Sequence, residues 1–210
     1  MSEISKNFFI FQSPDQLLAE IKPLNDERIF IETGYDIVME AWIISHFCIG
    51  FQKLKHCAVQ VKMGENHEEP ADAIVKIDNE IVDYQITERQ KEGRKRTEEY
   101  REWVKKGRPS EAKEYRPIAL EEALMYARQA IQKKLDKKYS VVRSTNLLIY
   151  LNFDKNNLML DKLYAHCGDM PIEPFNEVWL LAPAFVKNTS GHAIAKLLPE
   201  PNGFFPFVTS

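Results

Sequence analysis

The chain has 210 residues, 44% hydrophobic and 28% charged, which supports one sizeable core and leaves no room for a second independent one. A net charge of −3 excludes a global electrostatic footprint for nucleic acid, so any hold on phosphate has to be local. Three cysteines (Cys48, Cys57, Cys167) make no disulfide framework and point to a reducing, cytoplasmic setting.

The N-terminus opens with acids and no sustained apolar run, so no signal peptide is read there. Ser13-Pro14-Asp15-Gln16 predicts a helix start, with a capping serine, proline in the first turn and glutamine three residues on. A short strand is expected within 27–34. Thr33 and Asp36 look like a second capping box, opening a long apolar helix to about Lys55. Its most apolar part, 37–51, is interrupted by Glu40 and His46 and reads as too short to span a bilayer. Residues 57–63 alternate as a strand, and 71–87 read as a hairpin. A charged helical segment follows Glu88, then a loop at 107–117. An amphipathic helix is predicted over 118–138, with Leu120, Leu124, Ala127, Ile131 and Leu135 at helical spacing. The run 146–152 suits a strand buried on both faces, and a helix near 154–166 and a strand at 177–183 repeat the alternation. This order implies an α/β fold: a mixed β-sheet flanked by helices on both faces. It is read as a single domain with a core at about 35–183, extended by 1–34 and 184–210.

The hairpin raises a chemical question. A two-residue turn at Asp78-Asn79 makes 77 face 80, 74 face 83 and 72 face 85. Alternation then places Ala73, Val75, Ile77, Val82, Tyr84 and Ile86 on a core face, and Asp72, Ile74, Lys76, Ile81, Asp83 and Gln85 on the other. Asp72 lies opposite Gln85 with Asp83 as a diagonal neighbour, and two carboxylates so close repel unless a cation or proton lies between them. One reading is a divalent-metal site; the other is an edge hairpin with one solvated face.

Pro70-Ala71-Asp72, with Asp83-Tyr84-Gln85 beginning eleven positions after Asp72 and both following a helix and a strand, resembles the PD-(D/E)xK, or restriction-endonuclease-like, nuclease superfamily. The resemblance covers roughly 35–152 and implies a restriction-endonuclease-like core, a Mg²⁺ (or Mn²⁺) cofactor and hydrolysis of DNA phosphodiesters. It implies that Asp72 and Asp83 bind the metal, joined by the Tyr84 backbone carbonyl, and that Gln85 positions the attacking water. Glu40, an acid on the first core helix, is carried over as the residue that completes the site. Two departures stand out: Ala71 separates proline from aspartate, and Gln85 replaces the usual lysine with an amide that cannot take a proton. Glu88 points away from Gln85, whereas Thr87 shares its face.

Arg89, Lys91, Arg94, Lys95 and Arg96 follow the third strand directly and are candidate phosphate contacts; a solvated helix laced with ion pairs is the alternative. His46 with Cys48, His56-Cys57 and His166-Cys167 lack the paired spacing of a structural zinc site. The expected protein is thus a Mg²⁺-dependent nuclease with DNA as partner, no membrane, and room for a homodimer. The alternatives are a degenerate nuclease fold used as a binding or assembly module, or an unrelated α/β interaction protein if the hairpin register differs.

Overall fold

The computed structural model describes residues 6–21, 35–65, 71–90, 119–137, 144–152, 158–186 and 189–209. Helix α1 (Pro14–Ile21) begins as its sequence dictates. The Ser13 N–H donates to Gln16 Oε1 at 3.0 Å, and the Gln16 N–H donates to Ser13 Oγ at 3.2 Å. Its buried Leu17 and Ile21 join the core formed with α2 (Tyr35–Lys55). Residues Ile37–Lys55 of α2 are long and apolar enough to cross a membrane by length and composition, longer than the sequence reading allowed, and most of them are buried inside the protein. A helix that is apolar nearly all round is what a covered core position requires. The strand expected within 27–34 and the loop at 107–117 lie outside the described residues, as does Thr33.

Seven strands form one sheet in chain order: β1 (Val59–Met63), β2 (Ala73–Ile77), β3 (Glu80–Gln90), β4 (Thr145–Asn152), β5 (Val178–Val186), β6 (Thr189–Leu198) and β7 (Phe205–Phe207). The first three are antiparallel, β3, β4 and β5 run parallel, and β5, β6 and β7 are antiparallel again, so the sheet is mixed. β4 is central and buried along almost its whole length, matching its unbroken apolar run. Helices α3 (Leu120–Leu135) and α4 (Leu160–Cys167) cover one face, packing on Leu147, Ile149, Leu151 and Leu180. α1 and α2 cover the other, packing on Val75, Tyr84, Ile86, Leu148 and Trp179. The two faces therefore carry separate apolar clusters, and the expected α/β sandwich of a mixed sheet between helices is observed.

Two features depart from the sequence reading. The sheet does not close near 183: β5 continues to Val186, and β6 and β7 lie in the region taken as a C-terminal extension. Pro183 inside β5, alanines on the inward positions of β6, and a three-residue β7 containing Pro206 all weaken a strand pattern. The Phe207 ring fits the notch left by Gly50 on α2, where a Cβ would lie 2.5 Å from it. The second departure concerns α3. Its buried stripe is Ala123, Tyr126, Ala127, Ala130, Ile131 and Lys134, rotated from the leucines that suggested the helix. Alanines carry little hydrophobic signal but let the helix approach the sheet closely, which brings Lys134 onto β3.

Candidate active site

The site grows out of the β2–β3 hairpin. The turn contains two residues, Asp78 and Asn79, and the register pairs Ile77 with Glu80, Ile74 with Asp83, and Ala73 with Tyr84. Asp78 takes the positive φ of 50° that such a turn needs. Its N–H donates to the Ala58 carbonyl at 3.0 Å and its Oδ1 accepts the Ala58 N–H at 3.2 Å, pinning the turn to the start of β1. The expected hairpin register is thus present over its strands.

At the entry to β2 the pattern changes. Ala73 pairs with Tyr84, and the Asp72 N–H also donates to the Tyr84 carbonyl, at 3.0 Å. Two residues facing one is the arrangement of a β-bulge, which re-aims a side chain where pairing ends. Asp72 is therefore not set squarely opposite Gln85. Its Oδ2 accepts the Ile86 N–H at 2.7 Å, satisfying the first β3 amide beyond the reach of β2. The Tyr84 carbonyl, expected as a metal ligand, is the acceptor of that Asp72 N–H. By ladder alternation the main-chain groups of Ile86 and Glu88 face this same open edge.

Lys134, which the sequence reading did not single out, reaches into the site from the last turn of α3. Its Nζ lies 3.2 Å from Asp72 Oδ2 and 2.9 Å from Gln85 Oε1. The signal in the sequence was a lysine on the continuation of an apolar stripe, where a charged side chain stays only if it is paired. Burial holds its pKa below the usual lysine range, opposed by the charges of Asp72 and Glu40. The helix that carries it is tied to α4: Arg128 donates to Asp169 from both terminal nitrogens, at 2.6 and 3.1 Å, and to the His166 carbonyl.

A cavity of about 320 Å³ opens beside Lys134. Met39, Glu40 and Ile43 of α2 form one wall, the β3 segment Ile86, Thr87 and Glu88 forms the floor, and Lys133, Lys134 and Lys137 form the opposite wall. Glu40 lines this cavity from α2, across it from the Lys134 wall. Glu88 enters the cavity from the α2 side, and Asn152 Nδ2 donates to its Oε1 at 2.8 Å. Asp83 and Gln85 are both buried and, by alternation along β3, share the face under α3. Arg89 is half-buried at the end of β3; Lys91, Arg94, Lys95 and Arg96 lie outside the described residues.

Could these residues hold a metal ion? Among the described residues no group of three or more His, Cys, Asp or Glu is gathered closely enough to hold one, and this covers the cysteine–histidine pairs as well as the acids. Mg²⁺, however, keeps several waters and takes only one or two protein carboxylates together with substrate phosphate. The oxygens of Asp72 and Gln85 converge on one positive centre, the Lys134 ammonium. Asp72 and Gln85 offer only oxygen donors, which suit a hard cation, and Glu40 lines the cavity beside Lys134.

Fold and site together define a mixed α/β protein with an acid–amide–lysine cluster at the open edge of its central strands. No protein-family model matches the chain, and no curated protein or solved structure matches it either.

Proposed function

We propose that the protein is a metal-dependent nuclease with a restriction-endonuclease-like core, hydrolysing DNA phosphodiester bonds at the open edge of β3. The observation that carries this reading is the position of Lys134: its ammonium bridges Asp72 and Gln85, supplying from α3 the positive charge that the Gln85 substitution removes from the strand. Asp72 and Asp83 are the carboxylates that would hold Mg²⁺, the one or two that such an ion takes from protein, with Glu40 on the wall of the adjoining cavity. The ion, when bound, supplies an activated water and neutralises charge developing on the phosphate. Gln85 orients the Lys134 ammonium, and the ammonium donates to a non-bridging phosphate oxygen as negative charge accumulates there. Its lowered pKa keeps the proton easier to surrender than that of a solvated lysine. Lys133 and Lys137, exposed at the cavity mouth, meet the flanking phosphates.

The same ion pair supports a second reading. A lysine that neutralises Asp72 also suits a nuclease fold retained as a binding module. Nicking and cleavage of linear, branched and single-stranded DNA with Mg²⁺ or Mn²⁺ separates the two. The parent should cleave, and Asp72→Asn and Lys134→Met should not. Equal cleavage by all three proteins would sink the proposal, and a parent that cleaves nothing and binds no Mn²⁺ by calorimetry would leave the binding module.

A further inference from the structure

The cavity beside Lys134 has a size and a polarity of its own. At about 320 Å³ it lies at the lower end of ligand sites, which run from roughly 300 to 1,000 Å³. That is room for a single nucleotide unit and not for a stacked base pair. Its walls differ in charge. The lysines come from the end of α3 and the turn after it, on one side of the sheet; Glu40 comes from α2 on the other, and Glu88 projects to that same side from β3. Glu88 is also braced, because Asn152 on the neighbouring parallel strand donates to Oε1 at 2.8 Å and itself accepts from the Tyr150 hydroxyl at 3.4 Å. A carboxylate held this way toward a nucleotide-sized space is placed to accept from an exocyclic amine. Thymine lacks such an amine, whereas cytosine and adenine carry one.

We propose that this cavity receives one unpaired nucleotide, with its phosphate toward Lys133 and Lys137 and its base amine on Glu88, making Glu88 a specificity-determining residue for single-stranded, amine-bearing sequence. The inference deepens the nuclease reading and rests on it for the substrate class, but its binding step needs no metal. A base inside a duplex cannot enter so small a space without leaving its stack, and that cost falls away in a single strand. The lysine wall binds any sequence, so preference among bases has to come from the Glu88 wall.

The test is fluorescence anisotropy with labelled oligo-deoxycytidine, oligo-deoxythymidine and a mixed-sequence duplex of equal length, using the full chain in EDTA so that nothing is cleaved. Oligo-deoxycytidine should bind roughly tenfold tighter than oligo-deoxythymidine, and tighter than the duplex. Glu88→Ala should abolish the cytosine preference while oligo-deoxythymidine binding stays close to parental. Glu88→Gln keeps the shape and serves where Glu88→Ala fails to fold, and it should reduce the preference too. Lys133→Ala with Lys137→Ala should weaken both single strands equally and flatten the salt dependence. Equal affinity for duplex and single strand, an unchanged cytosine preference in both Glu88 variants, or no binding of any oligonucleotide would each overturn the proposal. Base-selective binding without cleavage in Mg²⁺ or Mn²⁺ would overturn the nuclease reading alone. Duplex cleavage without single-strand preference would overturn this inference alone.

Discussion

Nζ of Lys134 lies 2.9 Å from Oε1 of Gln85, although the two residues stand on different elements and 49 positions apart in the chain. The contact gives the buried Gln85 amide oxygen a charged donor from another element. It also makes a lysine at position 85 costly. Gln85→Lys would set two ammonium groups against each other in a buried space, so the single variant should lose stability by about 2 kcal/mol or more. Moving the charge, as Gln85→Lys with Lys134→Gln, should recover most of that loss. Urea unfolding of the two single variants and the double variant measures the coupling directly. Additive effects would show that the side chains do not interact as the geometry requires.

Asp72 has a structural duty distinct from any catalytic one. Its Oδ2 takes both the Ile86 N–H and the Lys134 ammonium. Asp72→Ala takes the amide's acceptor and removes the ion-pair partner of a largely buried lysine, and should cost about 2–3 kcal/mol. Asp72→Asn keeps an acceptor and loses only the charge, so its cost should be nearer 1 kcal/mol. The Lys134 pKa should fall further in Asp72→Asn, because one of the two charges raising it is gone. Thermal unfolding gives the first comparison, and a lysine ¹⁵N or ¹³C titration by NMR gives the second. A Lys134 pKa unmoved by Asp72→Asn would contradict the ion pair.

How much of this was legible in the sequence depends on which residues carry the signal. The hairpin was, since alternation and the Asp78-Asn79 turn fix a register that the strands keep from Ala73 to Tyr84. The bulge at Asp72 was not, because it depends on how β2 meets β3 past the Ala73–Tyr84 pair, which no local pattern records. Lys134 was hidden by the alanines around it. Ala123, Ala127 and Ala130 are buried through close approach of the helix, while the eye follows Leu124 and Leu135, which are only partly buried. Glu88 was read correctly as pointing away from Gln85. What strand alternation could not reveal is that the cavity lies over an open edge, where residues from both faces meet. β6 and β7 escaped because small residues and proline dilute the strand pattern, though Phe207 and Ile194 are core residues.

Asp83 is 4% exposed, on the face covered by α3. A buried carboxylate is a stability cost that a functional site can carry. Asp83→Asn keeps the shape and deletes the charge, so the variant should be as stable as the parent or more so in the absence of metal. If Asp83 contributes to the proposed metal site, cleavage should disappear and added Mn²⁺ should no longer raise the melting temperature. Chemical unfolding with and without Mn²⁺ tests both. Marked destabilisation of the metal-free variant would mean that Asp83 acts as a structural acceptor.

Acid should loosen the docking of the C-terminal strands on α2, through a pair of histidines remote from the hairpin. The His46 and His192 rings lie 4.5 Å apart between centroids, with Trp42 beside both and Phe207 against His192. His46 Nδ1 must be the protonated nitrogen, since it lies 2.9 Å from the Trp42 carbonyl, which can only accept. Burial holds the His46 pKa below its ordinary value, with that hydrogen bond opposing. Burial, and then the His46 charge, depress His192 to about 3. Both are therefore neutral in the folded protein where the unfolded chain, with histidine pKa near ~6.5, has begun to take up protons. Their contribution is fully present above about pH 6.5. It declines as pH falls, by at most about 1.4 kcal/mol per unit for each histidine, and for His192 the decline continues toward about 3. Urea unfolding at pH 7.5 and pH 5 should show a drop in the parent that is smaller in His192→Phe, which keeps the ring packing and cannot titrate. Equal pH dependence in the two proteins would mean that His192 takes its proton as readily folded as unfolded, and the buried pair would lose its role in acid sensitivity.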